Sequence, residues 1–281
     1  MSYTKTVWAD RNVQYPRRYT DQNSNILTLT ASPGTITAAG TPVSASVMNN
    51  IEEGIEDHDG RLDALETVGS KGRITPSDYG CVMDGSTDDT TNFQAAVNAA
   101  IANNCELFIP PGYNIKLTSA ITLSAPISIV GGGAQTCLLT FYSCSGFSIA
   151  NGVIAVHMRG FTIQTAVAYT TTVNAYKGIT AAGDTTHRPY WCLYEDLVII
   201  GFETGIEANW IWASTFTNIQ TAYCHKGLVI KGLSTNTKVD GNSQFGVDGS
   251  TESRGIVIGD GTNEIEGWWL NQVMTYDADV G

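Results

Sequence analysis

The stretch that decides the fold is Ile74–Gly133, which reads ITPSDYGCVMDGSTDDTTNFQAAVNAAIANNCELFIPPGYNIKLTSAITLSAPISIVGGG. Its first half contains one helical pattern, an apolar stripe with the i, i+3, i+4 spacing of a helix that packs on one face. The members of this stripe are Phe93, Ala96, Val97, Ala100 and Ile101. Residues 88–91 precede the stripe, and we predict that they cap the helix, with Thr91 and Gln94 forming a capping box.

After this helix the apolar residues change to a period of two. The alternating runs are short, and they are bounded by proline and glycine at positions 110–112, 126 and 131–133. This pattern predicts short β-strands separated by tight loops. The runs are Leu107–Ile109, Ile115–Leu117, Ile121–Leu123 and Ile127–Ile129.

Five short motifs follow one another in this stretch. They are Tyr79-Gly80, Asp84-Gly85, Asp88-Asp89-Thr90, Ile109-Pro110-Pro111-Gly112 and Gly131-Gly132-Gly133. Their order resembles the opening segment of the pectate-lyase-like family of parallel β-helices, which is common in phage tailspikes. The resemblance implies an all-β fold, a right-handed single-stranded parallel β-helix over residues 74–281 with an N-terminal capping helix. It implies no single reaction, because that family includes lyases, hydrolases and binding proteins.

The predicted helix has a clear physical role in such a fold. The end of a β-helix exposes apolar side chains and unpaired backbone groups, and a helix with one apolar face can cover them. We therefore predict that the segment Phe93–Ile101 covers the N-terminal end. On the same reasoning we interpret Asp84, Asp88 and Asp89 as loop and cap residues and not as catalytic groups.

A repeat in the second half of the chain also indicates stacked turns. Gly205-Ile206, Gly227-Leu228 and Gly255-Ile256 are each preceded, eight residues earlier, by an apolar residue, namely Leu197, Ile219 and Val247. The first two units are 22 residues apart and the third follows after 28, which predicts extra residues between Lys231 and Phe245. The sequence leaves open whether the β-helix is short or continues past Gly281.

Residues 1–45 form a first segment that is too small to bury a core of its own. The motifs Trp8–Arg11, Val13–Tyr19, Gly40–Val43 and Asn49–Ile55 resemble the amino-terminal segment of tail-associated proteins from phages of Gram-positive bacteria. This resemblance implies a small β-rich virion anchor that binds other tail or baseplate proteins. A disordered arm with some strand is the alternative.

Residues 46–68 show the spacing of a coiled coil. The core (a and d) positions of a heptad repeat recur at alternating intervals of three and four residues. They are Met48, Ile51, Ile55, His58, Leu62 and Leu65. A seam with isoleucine at both core positions favours three strands, so we predict a short trimeric coiled coil and a homotrimer. Gly54 and Gly60 weaken this helix. Residues 69–73 are the predicted hinge to the β-helix.

Composition indicates which partners the protein can bind and in which compartment it is assembled. The formal net charge is -12 and the pI is about 4.6, so we expect no binding to nucleic acid, which needs a basic surface. Residues 1–20 lack a signal-peptide core and no apolar run is long enough to cross a bilayer, so we expect no membrane insertion. The six cysteines are scattered and form no C-x-x-C pair, which predicts buried thiols in a reducing compartment and no metal. We expect no cofactor, and the resemblance to phage tail proteins implies assembly in the host cytoplasm.

Equivalent positions on successive turns give candidate site residues. Lys226 and Arg254 each precede a repeated glycine, and we predict that they form a basic strip for acidic groups of a glycan, with solvated loop residues as the alternative. Glu203 and His225, one position earlier, are the candidate acid/base pair, and Asp240 is the third catalytic candidate.

Two further groups of residues fit carbohydrate chemistry. Trp210 and Trp212 lie two apart on one strand face, where they form either a sugar-stacking shelf or part of a trimer interface. A glycosidase needs two carboxylates at a defined separation, and no spacing in the sequence selects a pair. The carboxylates considered are Glu195, Asp196, Glu203, Glu207, Asp240 and Asp248.

Together these observations predict a homotrimeric tailspike or tail fibre, located in the virion, that attaches to a bacterial surface polysaccharide. The sequence leaves open whether the protein also depolymerises that glycan, as a hydrolase or as a lyase. A structural or adaptor fibre without glycan chemistry is the first alternative. A stand-alone bacterial pectate-lyase-like enzyme is the second, and the heptads of residues 46–68 argue against it.

Overall fold

The structure is a computed structural model that describes residues 18–20, 26–28, 48–49, 51, 53, 72–166, 175–247, 253–259 and 265–276. The chain divides into two compact units, Met1–Gly69 and Ser70–Gly281. In the first unit β1 (Arg18–Thr20) pairs antiparallel with β2 (Ile26–Thr28). Residues 48, 49, 51 and 53 are helical. The rest of the predicted anchor (1–45) and coiled coil (46–68), and residues 69–71 of the hinge, lie outside the described residues.

The second unit is a parallel β-helix of about 7 turns, as the sequence predicted. It opens with a 3-10 helix, Pro76–Tyr79, and its α-helix α1 spans Thr90–Asn103. The strands are β3 (Arg73–Ile74), β4 (Asp84–Asp88), β5 (Glu106–Ile109), β6 (Tyr113–Leu117), β7 (Ile121–Leu123), β8 (Ile127–Gly131), β9 (Cys137–Phe141), β10 (Phe147–Ile149), β11 (Val156–Arg159), β12 (Thr162–Thr165), β13 (Lys177–Ala181), β14 (Leu193–Glu195), β15 (Val198–Ile200), β16 (Thr204–Asn209), β17 (Thr215–Thr217), β18 (Gln220–Cys224), β19 (Lys226–Lys231), β20 (Lys238–Asp240), β21 (Ser243–Val247), β22 (Arg254–Ile258), β23 (Trp269–Leu270) and β24 (Val273–Tyr276).

Each full turn contributes one strand to each of three sheets. Sheet 1 is β3-β5-β8-β11-β14-β17-β20-β23, sheet 2 is β4-β6-β9-β12-β15-β18-β21-β24, and sheet 3 is β7-β10-β13-β16-β19-β22. Neighbouring strands within these sheets are parallel. Inward side chains of the three sheets stack along the axis and form one continuous apolar core.

The repeated glycines mark a close backbone approach between successive turns of sheet 3, at Gly146, Gly178, Gly205 and Gly227. A Cβ atom added to Gly205 would lie 2.6 Å from the carbonyl oxygen of Gly227, and one added to Gly227 would lie 2.5 Å from that of Gly255. Any side chain at these positions would therefore collide with the next turn. This contact explains why glycine recurs beside residues that stack in register, the buried Ile179, Ile206 and Leu228 and the partly buried Ile256.

The predicted stacking of Leu197 and Ile219 is confirmed, but the third member of that column is wrong. Val198 pairs with Gln220, which places Leu197 and Ile219, both fully buried, on adjacent turns. Gln220 pairs in turn with Gln244, so the residue above Ile219 is Ser243 and not Val247. Phe245 and Arg254 are nine residues apart, whereas their partners Thr221 and Lys226 are five apart, so most of the extra residues follow Phe245.

Helix α1 caps the N-terminal end of sheet 3, which confirms the predicted cap. The Thr122 N–H donates to Gln94 Oε1 at 2.8 Å, and Gln94 Nε2 donates to the Thr122 carbonyl at 3.0 Å. The side-chain amide thus supplies the hydrogen bonds that a neighbouring strand would give to β7. Phe93 is buried and packs edge-on against Phe147, with 6.4 Å between ring centroids, so the helix also covers the core.

The aspartates before α1 serve as loop and cap residues, as we predicted, but the capping box is wrong. The buried carboxylate of Asp89 accepts the N–H groups of Val82 and Met83, each at 2.8 Å. Asp88 accepts the Thr90 N–H and hydroxyl. The helix begins at Thr90, with Asp89 as N-cap, so Thr91 lies inside the helix. The Gln94 side chain points toward β7 and not toward the helix terminus.

The cysteines match the sequence prediction. All six are free thiols, five of them buried and Cys144 half-buried. Burial raises the pKa of Cys81 to about 12, which leaves this thiol unreactive at neutral pH. Within the ranges described above, no helix combines the length and the hydropathy that a membrane span requires.

Candidate functional site

The outward side chains of sheet 1 form two straight columns along the β-helix. Column A is Ser128, His157, Leu193, Thr215, Lys238 and Trp269, and column B is Val130, Arg159, Glu195, Thr217 and Asp240. Neighbours in a column are about 4.8 Å apart along the axis. The inward residues between the columns, such as Met158 and Tyr194, are fully buried and hold the strands in place. The outward face of sheet 1 is therefore largely polar, and it lies directly on the buried core.

Two adjoining cavities lie over the middle of this surface, and we call them together the sheet 1 groove. The first, of about 130 Å³, is lined by residues that include His157, Leu193 and Glu195. The second, of about 430 Å³, is lined by residues that include the Gly131–Gly133 loop, Asp196 and Asn218. Val130 and Arg159 line both cavities, so Arg159 stands at their junction.

The charged side chains of sheet 1 differ in how they are paired. Arg73 forms an ion pair with Glu106 at 2.8 Å, and Lys238 forms one with Asp240. Between these pairs, Arg159 and Glu195 occupy adjacent turns of column B. Their side chains make no hydrogen bond or ion pair with any residue that the structure describes. The middle of the groove thus offers one guanidinium and one carboxylate to a ligand.

Trp191 lies two residues before β14, at the edge where the chain enters sheet 1, and Leu193, which lines the smaller cavity, separates it from Glu195. Its ring is 64% exposed, and its backbone is left-handed, with φ of 56°. This conformation costs a non-glycine residue about 1–2 kcal/mol. Its neighbours on the turns below and above are Ala155 and Ala213, whose side chains are single methyl groups. Tyr190 contacts the ring edge-on, with the centroids 4.9 Å apart, and orients it.

The predicted tryptophan shelf has its faces partly occupied. The guanidinium of Arg188 lies 4.1 Å from the Trp212 ring centroid and 5.4 Å from that of Trp210. A Cβ atom added to Gly232 would lie 2.5 Å from the Trp210 ring, so this ring packs on the Gly232 backbone. Trp212 is 37% exposed. Sugar stacking on these two residues stays a prediction.

The two residues of the predicted basic strip lie on adjacent turns, but each already contacts another group of the protein. Lys226 and Arg254 are in register on sheet 3. The Lys226 ammonium lies 3.3 Å from Glu203 Oε1, and Arg254 donates to the Ser253 carbonyl at 3.0 Å. Glu203 and His225 lie one turn apart, directly before β16 and β19, as predicted.

The structure places Asp240 on a different sheet from Glu203 and His225, so the three catalytic candidates do not come together. Asp240 accepts a hydrogen bond from Thr217 at 2.8 Å and pairs with Lys238. The pKa of Asp240 is lowered mainly by the contact with Lys238 and less by the hydrogen bond from the Thr217 hydroxyl. Asp240 lies two turns above Glu195, a separation of about 9.5 Å.

Sequence reasoning missed the central groove residues, although it had named Glu195 and Asp196 among the possible carboxylates. His157 and Arg159 belong to no motif, and only the strand register brings Arg159 beside Glu195 and His157 beside Leu193. Trp191 precedes Glu195 by four residues in the same segment, and no motif marks it. In the described ranges, no three or more His, Cys, Asp or Glu side chains are grouped so that they could hold a metal ion.

No protein-family model and no curated protein matches this chain. Among solved structures, the chain is similar to ORF18 of Geobacillus virus E2, with a TM-score of 0.49 and 15% identity over 92% of this chain and 49% of that one. It is also similar to the A-module of the Azotobacter vinelandii mannuronan C-5 epimerase AlgE6, with a TM-score of 0.44 and 16% identity over 73% and 67%. A third is the N-terminal fragment of bacteriophage Phi29 gene product 12, with a TM-score of 0.43 and 14% identity over 77% and 44%. The chain spans about half the length of the Geobacillus virus protein.

Proposed function

We propose that the protein is a phage tail protein that attaches to a bacterial surface polysaccharide through the sheet 1 groove. The observation that carries this proposal is the row of polar side chains on sheet 1, with Arg159 and Glu195 unengaged and with Trp191 exposed at the edge of the sheet, four residues before Glu195. The virion assignment is supported by the sequence resemblances of residues 74–133 and 1–45. An extended surface along the β-helix axis suits a linear polymer better than a small molecule.

The side chains of the groove are the types that recognise sugars. Carboxylate and guanidinium groups are planar and accept or donate two hydrogen bonds at once, which suits pairs of adjacent sugar hydroxyls. An indole ring presents a flat apolar face to the C–H face of a sugar ring. Since Arg159 and Glu195 project from strands, their positions are fixed more tightly than loop residues would be.

The wider assembly is part of the same proposal. We propose a homotrimer joined through residues 46–68, attached to other tail or baseplate proteins through residues 1–45, assembled in the host cytoplasm and located in the virion. The heptad spacing supports the trimer. The six free cysteines support assembly in a reducing compartment.

The test is binding of the full chain to a panel of purified bacterial capsular and wall polysaccharides. The variants Arg159→Ala and Glu195→Gln are expected to weaken binding, because each removes one of the two unengaged charged groups. Lys226→Ala is the control, because it removes a charge of sheet 3, outside the groove. Loss of binding in the control alone would move the site to the predicted basic strip. No binding to any polysaccharide by the folded protein would favour the structural or adaptor fibre.

Hydrolysis of the bound glycan is a second candidate function, favoured by the separation of Glu195 and Asp240. Inverting glycosidases place two carboxylates about 6.5–9.5 Å apart, and the strand positions of these two residues, two turns apart, are separated by about 9.5 Å. The low pKa of Asp240 suits a base, and Glu195 would serve as the acid. New reducing ends that disappear in Glu195→Gln would establish hydrolysis, whereas unsaturated products would indicate a lyase.

A further inference from the structure

We infer that the glycan bound in the sheet 1 groove is uncharged, and this inference rests on the attachment function proposed above. It differs from the basic strip that the sequence indicated, which would serve an acidic glycan. Three observations carry it: the engagement of the basic side chains of the β-helix, the charge around Arg159, and the open indole of Trp191.

The first observation is that most basic side chains of the β-helix are already neutralised or covered. Among the described residues, those that form ion pairs with carboxylates are Arg73, Lys177, Lys226, Lys231 and Lys238. Arg188 lies against the two tryptophan rings, and Lys116 bonds the Ser86 carbonyl. A polyanionic chain would therefore find no continuous positive strip on the described part of the β-helix, in a protein whose net charge is -12.

The second observation concerns the surroundings of Arg159. Glu195 is its neighbour on the next turn, and Asp196 follows Glu195 directly on the wall of the larger cavity. Asn218 donates to one Asp196 oxygen at 2.6 Å, which orients this carboxylate. Two carboxylates accompany one guanidinium, so an anionic sugar would meet like charge, and the repulsion is stronger close to a protein surface than in water.

An uncharged sugar meets no such opposition. Its hydroxyl groups can donate to the carboxylates of Glu195 and Asp196 and accept from the guanidinium of Arg159. Hydrogen bonds to charged groups are the stronger kind, and they need no charge on the ligand. Trp191 supplies the apolar contact, since the residue is 64% exposed and its neighbours on both adjacent turns are alanines. The groove therefore matches a neutral sugar polymer in both its polar and its apolar contacts.

The experiment measures binding of the full chain to neutral rhamnans, galactans and glucans beside uronate- and phosphate-bearing polysaccharides, at low and at high NaCl. Neutral glycan binding with less than about a twofold change in Kd across salt is the expected result, because no long-range charge attraction is present to be screened. Binding restricted to acidic polymers and weakened by salt would overturn the inference and leave the attachment function standing. Absence of binding to every polymer would overturn the attachment function itself.

Glu195→Gln distinguishes the two ligand classes by the sign of its effect. With a neutral glycan this variant loses a strong acceptor, and Kd is expected to rise. With an anionic glycan it loses a repulsive charge, and Kd is expected to fall. A lower Kd in Glu195→Gln therefore contradicts the inference even if the panel contains only one binder.

Trp191→Ala tests the apolar contact. We expect Kd to rise by about tenfold, which corresponds to about 1.4 kcal/mol. Tyr223→Ala is the matched control. Tyr223 is 59% exposed and, like Trp191, has a left-handed backbone, with φ of 55°, but it lies on sheet 2. Equal Kd values for the two variants would remove Trp191 from the site. Circular dichroism of each variant establishes that both are folded.

Discussion

The cap on sheet 3 gives the sharpest prediction about the fold, through the variant Gln94→Ala. The Gln94 amide makes two hydrogen bonds to the Thr122 backbone, at 2.8 and 3.0 Å. Each is worth about 0.5–1.5 kcal/mol net, so losing both costs about 1–3 kcal/mol. The better helix propensity of alanine returns less than about 0.5 kcal/mol. The exposed edge of β7 would then have no partner on that side.

The assay is hydrogen exchange of the peptide that contains β7, together with chemical denaturation of the full chain. Faster exchange of the Thr122 N–H is expected, because its acceptor is removed. Asn98→Ala is the control, since Asn98 accepts only from Gln94 on the helix surface, at 3.0 Å. Its effect is expected within about 0.5 kcal/mol.

Gln94→Glu sharpens the test with one atom changed. The introduced carboxylate still accepts the Thr122 N–H, but its second oxygen faces the Thr122 carbonyl, and their repulsion raises the pKa of the new carboxyl. The variant is expected to be least stable at neutral pH and to regain stability as the pH falls and the carboxyl protonates. Unchanged exchange and stability in both Gln94 variants would refute the proposed role of this side chain as a substitute strand.

Three further predictions concern the core and the charges. Gly227→Ala is expected to lower the free energy of unfolding by about 1–3 kcal/mol, measured by chemical denaturation, because the added Cβ meets a carbonyl oxygen of the next turn at 2.5 Å. Unchanged stability would show that the two turns can move apart. Tyr194→Phe is expected to stabilise the protein by up to about 1 kcal/mol, since the fully buried hydroxyl lacks a hydrogen bond of standard geometry; a clear loss would reveal a bound partner. Burial opposes ionisation of Glu207, but Lys177 and Lys231 outweigh it and lower its pKa, so its stabilisation is present above its ordinary pKa and lost as the pH falls through the lowered value. Glu207→Gln should therefore flatten the acid limb of the stability curve, and an unchanged limb would contradict this.

The architecture was predictable because its signals are local. The helix stripe from Phe93 to Ile101 and the proline and glycine boundaries of the first strands lie within 60 residues. The repeated glycine is imposed by a backbone contact that recurs on four successive turns, at Gly146, Gly178, Gly205 and Gly227. Any chain with this close approach must place glycine at that position, so the repeat is visible in the sequence without knowledge of the register.

The groove was not predictable in the same way, because it depends on register across turns of unequal length. His157 pairs with Leu193, 36 residues later, whereas Leu193 pairs with Thr215 after only 22. The longer turn hides the relation between Arg159 and Glu195. The same inequality led to the wrong assignment of Val247, since a fixed offset was assumed where the chain has an insertion.

The central claim is that a glycan lies on sheet 1 beside Trp191, and hydroxyl-radical footprinting with mass spectrometry tests it most directly. The protein is oxidised with and without the polysaccharide that it binds best, and the oxidation of each tryptophan and tyrosine is compared. Slower oxidation of Trp191, with Tyr223 unchanged, is the predicted result. Protection of Trp210 and Trp212 with Trp191 still fully reactive would contradict it and return the site to the loop between β16 and β17.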